Sequence, residues 1–362
     1  MNGPQQLQAA GQSVWLDNIR RGLLTSGTLQ RYLDELAVTG VTSNPTILER
    51  AITASAEYDE DIARLAAEGT TEAEDVVFAL ALADLTAAAD LLRPVFDATS
   101  GTDGYVSIEV SPFLVDDAAG TVEAGRRLFA QAGRPNVLVK VPGTAAGLLA
   151  VEELVAAGVP VNVTLLFSPA HHLAAAEAHL RGLERRLAAG QDVAVGGVAS
   201  LFVSRWDAAA DPLLPAPLHG RLGIAVVEQT YAAYRRLVDS ERWSVLRAAG
   251  APLQRVLWAS TGTKDPSFPD TYYLGRLAAP DTVDTVPEPT LLAFADHGTV
   301  CELLAPDAAA ADAVLAQVAA AGIDVAALAQ QLQDSAADSF TTSWQALLGR
   351  VRDKTSALAL RS

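Results

Sequence analysis

Eight short runs rich in β-branched residues recur along the chain, and helical stretches separate them. The runs are "VWLDN" (14–18), "GVTSN" (40–44), "YVSIEVS" (105–111), "VLVKV" (137–141), "VPVNVTLLF" (159–167), "VGGVASLF" (195–202), "RVLWAST" (255–261) and "DTVDTV" (281–286). Ala-rich segments between them, such as "AHHLAAAEAHLRGLERRLAAG" (170–190), have helical periodicity and high helix propensity. Strands alternating with helices imply a parallel sheet. Eight units imply an α/β fold, the (β/α)8 TIM barrel. An open doubly wound sheet would need a phosphate loop after an early strand. No G-x-G-x-x-G or P-loop lysine motif follows one here.

The chain has 362 residues, more than the roughly 250 typical of such a barrel. The surplus falls in three places: helices over about 46–104, a helical insertion over about 207–254 that opens on "DPLLPAPLHG", and a helical C-terminal tail over 301–362. No linker sets any of them apart. The expectation is one barrel domain over 1–362 with additional helices.

Alternate strand residues face opposite sides of a sheet. Val137, Val139 and Val141 form one face of the fourth run, and Leu138 and Lys140 the other. Val161, Val163 and Leu165 oppose Asn162 and Thr164 in the fifth run, and Val106, Ile108 and Val110 oppose Ser107, Glu109 and Ser111 in the third. The apolar faces suit packing on helices, which leaves the polar ones inside the barrel. Asp17, Asn44, Glu109, Lys140, Thr164, Ser200 and Ser260 all fall toward the C-terminal ends of their strands. In a barrel those ends converge on one mouth, where active sites lie.

Lys140 stands out within that set. The 26 basic residues are 23 arginines and only three lysines, Lys140, Lys264 and Lys354. Arginine suits a purely structural buried pair, so a lysine kept inside an apolar strand points to what arginine cannot do. Its amine can lose a proton and attack a carbonyl to form a Schiff base, helped by desolvation among valines. A Schiff base is an electron sink that lets a neighbouring C–C bond break or form. The chemistry also needs groups that move protons, and Glu109 and Asp17 are the carboxylates at hand.

A net charge of −17 argues against a nucleic-acid partner and requires local cations for any anionic substrate. No apolar run reaches membrane-span length, and the N-terminus lacks the pattern of a secretory signal. With a single cysteine, Cys301, the simple expectation is a cytoplasmic protein. Cys301 reads as a packing residue near a helix. His171, His172 and His179 read as a solvated helix surface, and no histidines sit at strand ends beside Glu109 and Asp17 to complete a metal site.

The motifs "WLDNIRRG", "GVTSNPTIL", "SIEVSP", "VLVKVPGT", "VNVTLLFS", "ASLFVSRWD" and "WASTGTKDP" resemble those of transaldolases, most of all the longer bacterial type, in order from about residue 14 to 300. The resemblance implies transfer of a dihydroxyacetone unit between sugar phosphates, with no metal or organic cofactor. It makes Lys140 the Schiff-base lysine and Asp17 the acid/base at the C4 hydroxyl. Glu109 with Thr164 would handle the water and protons around the imine. Asn44, Asn162, Ser200 and Arg205 match substrate- and phosphate-binding positions. In shorter transaldolases an arginine follows the A-S of the seventh strand. Here the stretch is "ASTGTKDP", and Lys264, with Ser260, is expected to supply that charge. Fructose 6-phosphate aldolases share the lysine and aspartate but carry glutamine at the position of Glu109, and transaldolases carry the phenylalanine seen at Phe202. A non-catalytic sugar-phosphate binding protein would be expected to lack one of Lys140, Glu109 or Asp17. A homo-oligomer remains open.

Overall fold

The computed structural model describes residues 1–43 and 45–359. All eight expected strands form: β1 (Gln12–Leu16), β2 (Val38–Thr42), β3 (Val106–Glu109), β4 (Val137–Pro142), β5 (Val161–Leu166), β6 (Gly197–Phe202), β7 (Arg255–Ala259) and β8 (Thr282–Val286). They are parallel and close in sequence order, β8 pairing with β1. Register sets Glu109 beside Lys140 and Lys140 beside Asn162. The valines of β3, β4 and β5 are buried against the surrounding helices, each contributing about 1.5–3 kcal/mol over an exposed position.

Two local departures shape the strand ends. A bulge in β5 shifts its register against β6 between Val163 and Leu166, and Leu165 takes a left-handed conformation, φ 60°. The alternation expected to run on to Leu165 therefore stops at Thr164. After β4, the N–H of Gly143 donates to the Thr164 carbonyl at 2.7 Å. A Cβ on Gly143 would lie 2.3 Å from Leu166, so the close approach of the β4 and β5 ends requires glycine there.

One end of the barrel is sealed. Trp15 donates to Asp103 at 2.7 Å, Arg255 donates to Ser13 at 2.6 Å, and Arg255 pairs with Asp103 at 3.3 Å. The opposite end, where the strands finish, is crossed by the tail. Its last helix (Val325–Ala359) is fastened at three points. The Gln333 amide donates to the carbonyls of Leu165 and Gly143, at 2.8 and 3.2 Å. Trp344 donates to Glu74 at 2.9 Å and packs on Phe78. Lys354 donates to the carbonyls of Ile52 and Ser55 and pairs with Asp59. Trp344, Leu347 and Val351 complete a small apolar core with Ile52, Tyr58, Ile62 and Val76 of the 46–104 segment. The 207–254 segment packs instead on the barrel flank. There Tyr234 donates to the Asp281 carbonyl at 2.8 Å, and Arg242 pairs with Glu177 and Glu184 of the helix Pro169–Ala188.

Two expectations are corrected. His172 and His179 are not on a solvated surface; both are fully buried. The flanking insertion covers that helix face, bringing the Tyr234 ring to 5.9 Å from His172, while His179 lies against Gly197 of β6. Cys301 is exposed rather than packed. It lies in an irregular stretch after the helix Glu288–His297 and is held by its backbone N–H on the Gly275 carbonyl at 2.8 Å.

Candidate active site

Lys140 is 8% exposed and points into the mouth of the barrel. Its ammonium is hydrogen-bonded to Glu109 of the adjacent strand and donates to the Ser43 carbonyl at 3.3 Å. The ring of Phe340, from the tail helix, is centred 5.8 Å away. Burial pushes the Glu109 carboxyl up from its ordinary value and Asp17 adds to the rise, while the Lys140 charge pulls the other way. Glu109 also borders a mostly apolar cavity lined by Ile19, Phe78, Leu85, Ile108 and Trp344.

A cavity of about 670 Å3 opens over Lys140. Its wall includes Asp17, Lys140, Thr164, Ser200, Phe202, Arg205, Ser260 and Lys264. Eight of the eleven residues singled out from the sequence thus share one wall, and Glu109 reaches it through Lys140. Asn162 does not reach the wall. It is fully buried, accepts from the Ser200 hydroxyl at 2.7 Å and donates to Ser107 at 3.1 Å. Asn44 lies outside the described residues.

Each wall residue is aimed by its surroundings. Asp17 follows β1 directly, with its backbone N–H on the Val286 carbonyl at 2.9 Å. The Thr42 hydroxyl donates to its carboxylate at 3.1 Å and lies 2.6 Å from the hydroxyl of Thr285. Thr164 holds a buried hydroxyl with no partner among the described residues, which leaves it for a substrate or water. Ser260 adopts φ 58° at the end of β7, and its hydroxyl meets that of Ser204 at 3.0 Å. A left-handed serine is a strained backbone held by its neighbours. The next residue, Thr261, donates to the buried Asp284 at 2.7 Å, which fixes the start of the loop carrying Lys264.

Arg205 stacks its guanidinium over Phe202, 5.4 Å from the ring centre, and Phe202 packs on Phe167. Burial lowers the Arg205 pKa from its ordinary value. Among the described residues neither Arg205 nor Lys264 has a carboxylate within ion-pair distance. In a chain with net charge −17, two such cations at one cavity give it a locally positive wall, the charge an anionic substrate requires.

Sequence reasoning missed Thr42, Thr285, Phe340 and Gln333. Strand parity gave no usable signal for Thr285: it shares a face with Val283, which reads as an outward-packing face, yet it lines the cavity. Nothing in the tail marked the other two, because a residue that roofs a barrel mouth carries no local pattern.

The profile of the family described as transaldolase/fructose-6-phosphate aldolase matches residues 14–351. The chain belongs to that family. The match runs from within β1 through β8 and most of the tail helix with Gln333 and Phe340. Among relatives in the family, proteins named transaldolase from Arthrobacter sp. (strain FB24) and Neisseria meningitidis serogroup A are each 44% identical to this chain. Those alignments cover 96% and 94% of this chain and 96% and 97% of the relatives. A transaldolase from Thermobifida fusca is 42% identical over 98% of both chains.

Proposed function

We infer that the chain is a transaldolase that works through a Schiff base at Lys140. The observation that carries this reading is a lysine hydrogen-bonded to a mostly buried carboxyl, beneath an aromatic ring, at the floor of a cavity with two cations that have no carboxylate partner among the described residues. Glu109 accepts the proton that the Lys140 amine must shed before it attacks the C2 carbonyl of a ketose phosphate. Its raised pKa makes it a stronger base than an ordinary carboxylate. The carbinolamine then loses water to give the imine, with Glu109 returning the proton and Thr164 holding the water.

Asp17 next takes the proton of the C4 hydroxyl. The C3–C4 bond breaks, its electron pair passes into the imine, and an aldehyde departs. The bound three-carbon enamine attacks the carbonyl of a second aldehyde, whose oxygen takes the proton back from Asp17. Hydrolysis of the new imine frees the product and the lysine. Arg205 and Lys264 hold the phosphate of donor and acceptor, and Asn162 acts through Ser200. The substrates under this reading are sedoheptulose 7-phosphate and glyceraldehyde 3-phosphate, the products erythrose 4-phosphate and fructose 6-phosphate, and the route the non-oxidative pentose phosphate pathway. Such phosphorylated sugars are cytoplasmic metabolites, which is the location this reading carries.

Borohydride with fructose 6-phosphate tests the chemistry. It should add the mass of reduced dihydroxyacetone at Lys140, and Lys140→Arg should lose the adduct while keeping its circular dichroism. An adduct elsewhere, or none, overturns the mechanism. Release of free dihydroxyacetone as fast as transfer to an acceptor would point to an aldolase instead.

A further inference from the structure

Three residues of the tail helix, Gln333, Phe340 and Trp344, fall seven and four positions apart and so share one helix face. The outer two are fixed: Gln333 to the ends of β4 and β5, Trp344 to Glu74 and Phe78. Phe340 between them is therefore held over the cavity rather than swinging free. Its ring is centred 5.8 Å from the Lys140 ammonium and forms part of the wall with Thr164 and Ser200. No polar atom of its side chain can serve substrate or water.

We infer that Phe340 is a specificity-determining residue that keeps proton donors from the enamine at Lys140 and so directs the three-carbon unit to an aldehyde. The inference rests on the Schiff-base reading above. After C–C cleavage the enamine has two fates. In transfer, its terminal carbon forms a bond to the acceptor's carbonyl carbon and the carbonyl oxygen gains a proton. In release, the same carbon takes a proton to give the dihydroxyacetone imine. Water then adds to the imine carbon, the C–N bond breaks, and dihydroxyacetone leaves with the lysine amine restored. Only release is complete without an acceptor. An apolar ring over the enamine lowers the local supply of proton donors, leaving the water at Thr164 for the later imine hydrolysis, while the acceptor, drawn by Arg205 and Lys264, arrives from the mouth.

The test compares wild type, Phe340→Leu and Phe340→Ala. It reads the ratio of free dihydroxyacetone released to unit transferred, from fructose 6-phosphate with erythrose 4-phosphate as acceptor, alongside borohydride trapping at Lys140. The ratio should rise about tenfold in Phe340→Ala and less in Phe340→Leu, with the adduct retained in all three. Both fates start from one intermediate, so a general loss of fold or activity does not move the ratio. A ratio within about twofold of wild type in both variants, with trapping intact, overturns the inference alone. No adduct in the wild type overturns the imine reading and this inference with it. If Phe340→Ala melts below assay temperature, Phe340→Leu decides: a raised ratio supports the inference and an unchanged one overturns it.

Discussion

Gln333 offers the sharpest check on how the tail is held to the barrel. Its amide donates two buried hydrogen bonds, to the Leu165 carbonyl at 2.8 Å and the Gly143 carbonyl at 3.2 Å. A net hydrogen bond contributes about 1 kcal/mol, and the methylene lost in Gln333→Ala adds about 0.8 kcal/mol. The alanine variant should therefore lose about 2–3 kcal/mol. Gln333→Glu keeps the shape but, once ionised, faces two carbonyl oxygens with a carboxylate that donates nothing. It should be worse than alanine at pH 7. Protonation restores one donor, so the folded state should raise the new carboxyl's pKa. The sign follows: the folded form then binds more protons than the unfolded form, and stability is lost as pH rises through the raised pKa. Urea unfolding at pH 7 and pH 5 measures all three proteins. An alanine cost below about 0.5 kcal/mol, with glutamate no worse at either pH, would refute this account of the clamp.

Three further outcomes are expected. Lys264→Ala and Arg205→Ala should each raise KM for phosphorylated substrates about tenfold or more, yet leave borohydride trapping of unphosphorylated dihydroxyacetone at Lys140 almost unchanged; equal losses for both substrates would contradict the anion site. Burial pushes Asp284 up to about 8, so the folded state holds a proton there that the unfolded state releases near pH 4. Stability should then decline as pH rises from 4 through 8, and Asp284→Asn should flatten that slope in melting curves. Burial also pushes His172 and His179 down to about 4. Unfolding binds protons there between pH 6.5 and 4, so stability present above 6.5 should fall with acid, by up to about 3 kcal/mol per histidine. His172→Leu should remove part of that loss, measured as the difference in Tm between pH 7 and pH 4.5.

The barrel was readable in the sequence because eight β-branched runs and their period of two are local signals. The same parity found Lys140, Glu109 and Thr164 on one side of three adjacent strands. Local signals also set the limits. The bulge at Leu165 depends on how β5 meets β6, which no window of β5 contains. His172 and His179 sit in an Ala-rich helix that looks solvated until the 207–254 insertion is laid against it. Parity turns Asn162 inward, but its amide is committed to Ser107 and Ser200 rather than to the cavity. Phe340 reaches Lys140 across 200 positions of chain, and its segment shows only helical periodicity.

The tail helix has a consequence for how the molecule is made. All eight strands precede the helix that covers them, so a ribosome delivers the complete barrel before its roof. A nascent chain can close its sheet before the helix that crosses its mouth has been made. Docking of the last helix then brings Phe340 to Lys140 and completes the cavity wall, so the site takes its full shape only after the sheet has closed.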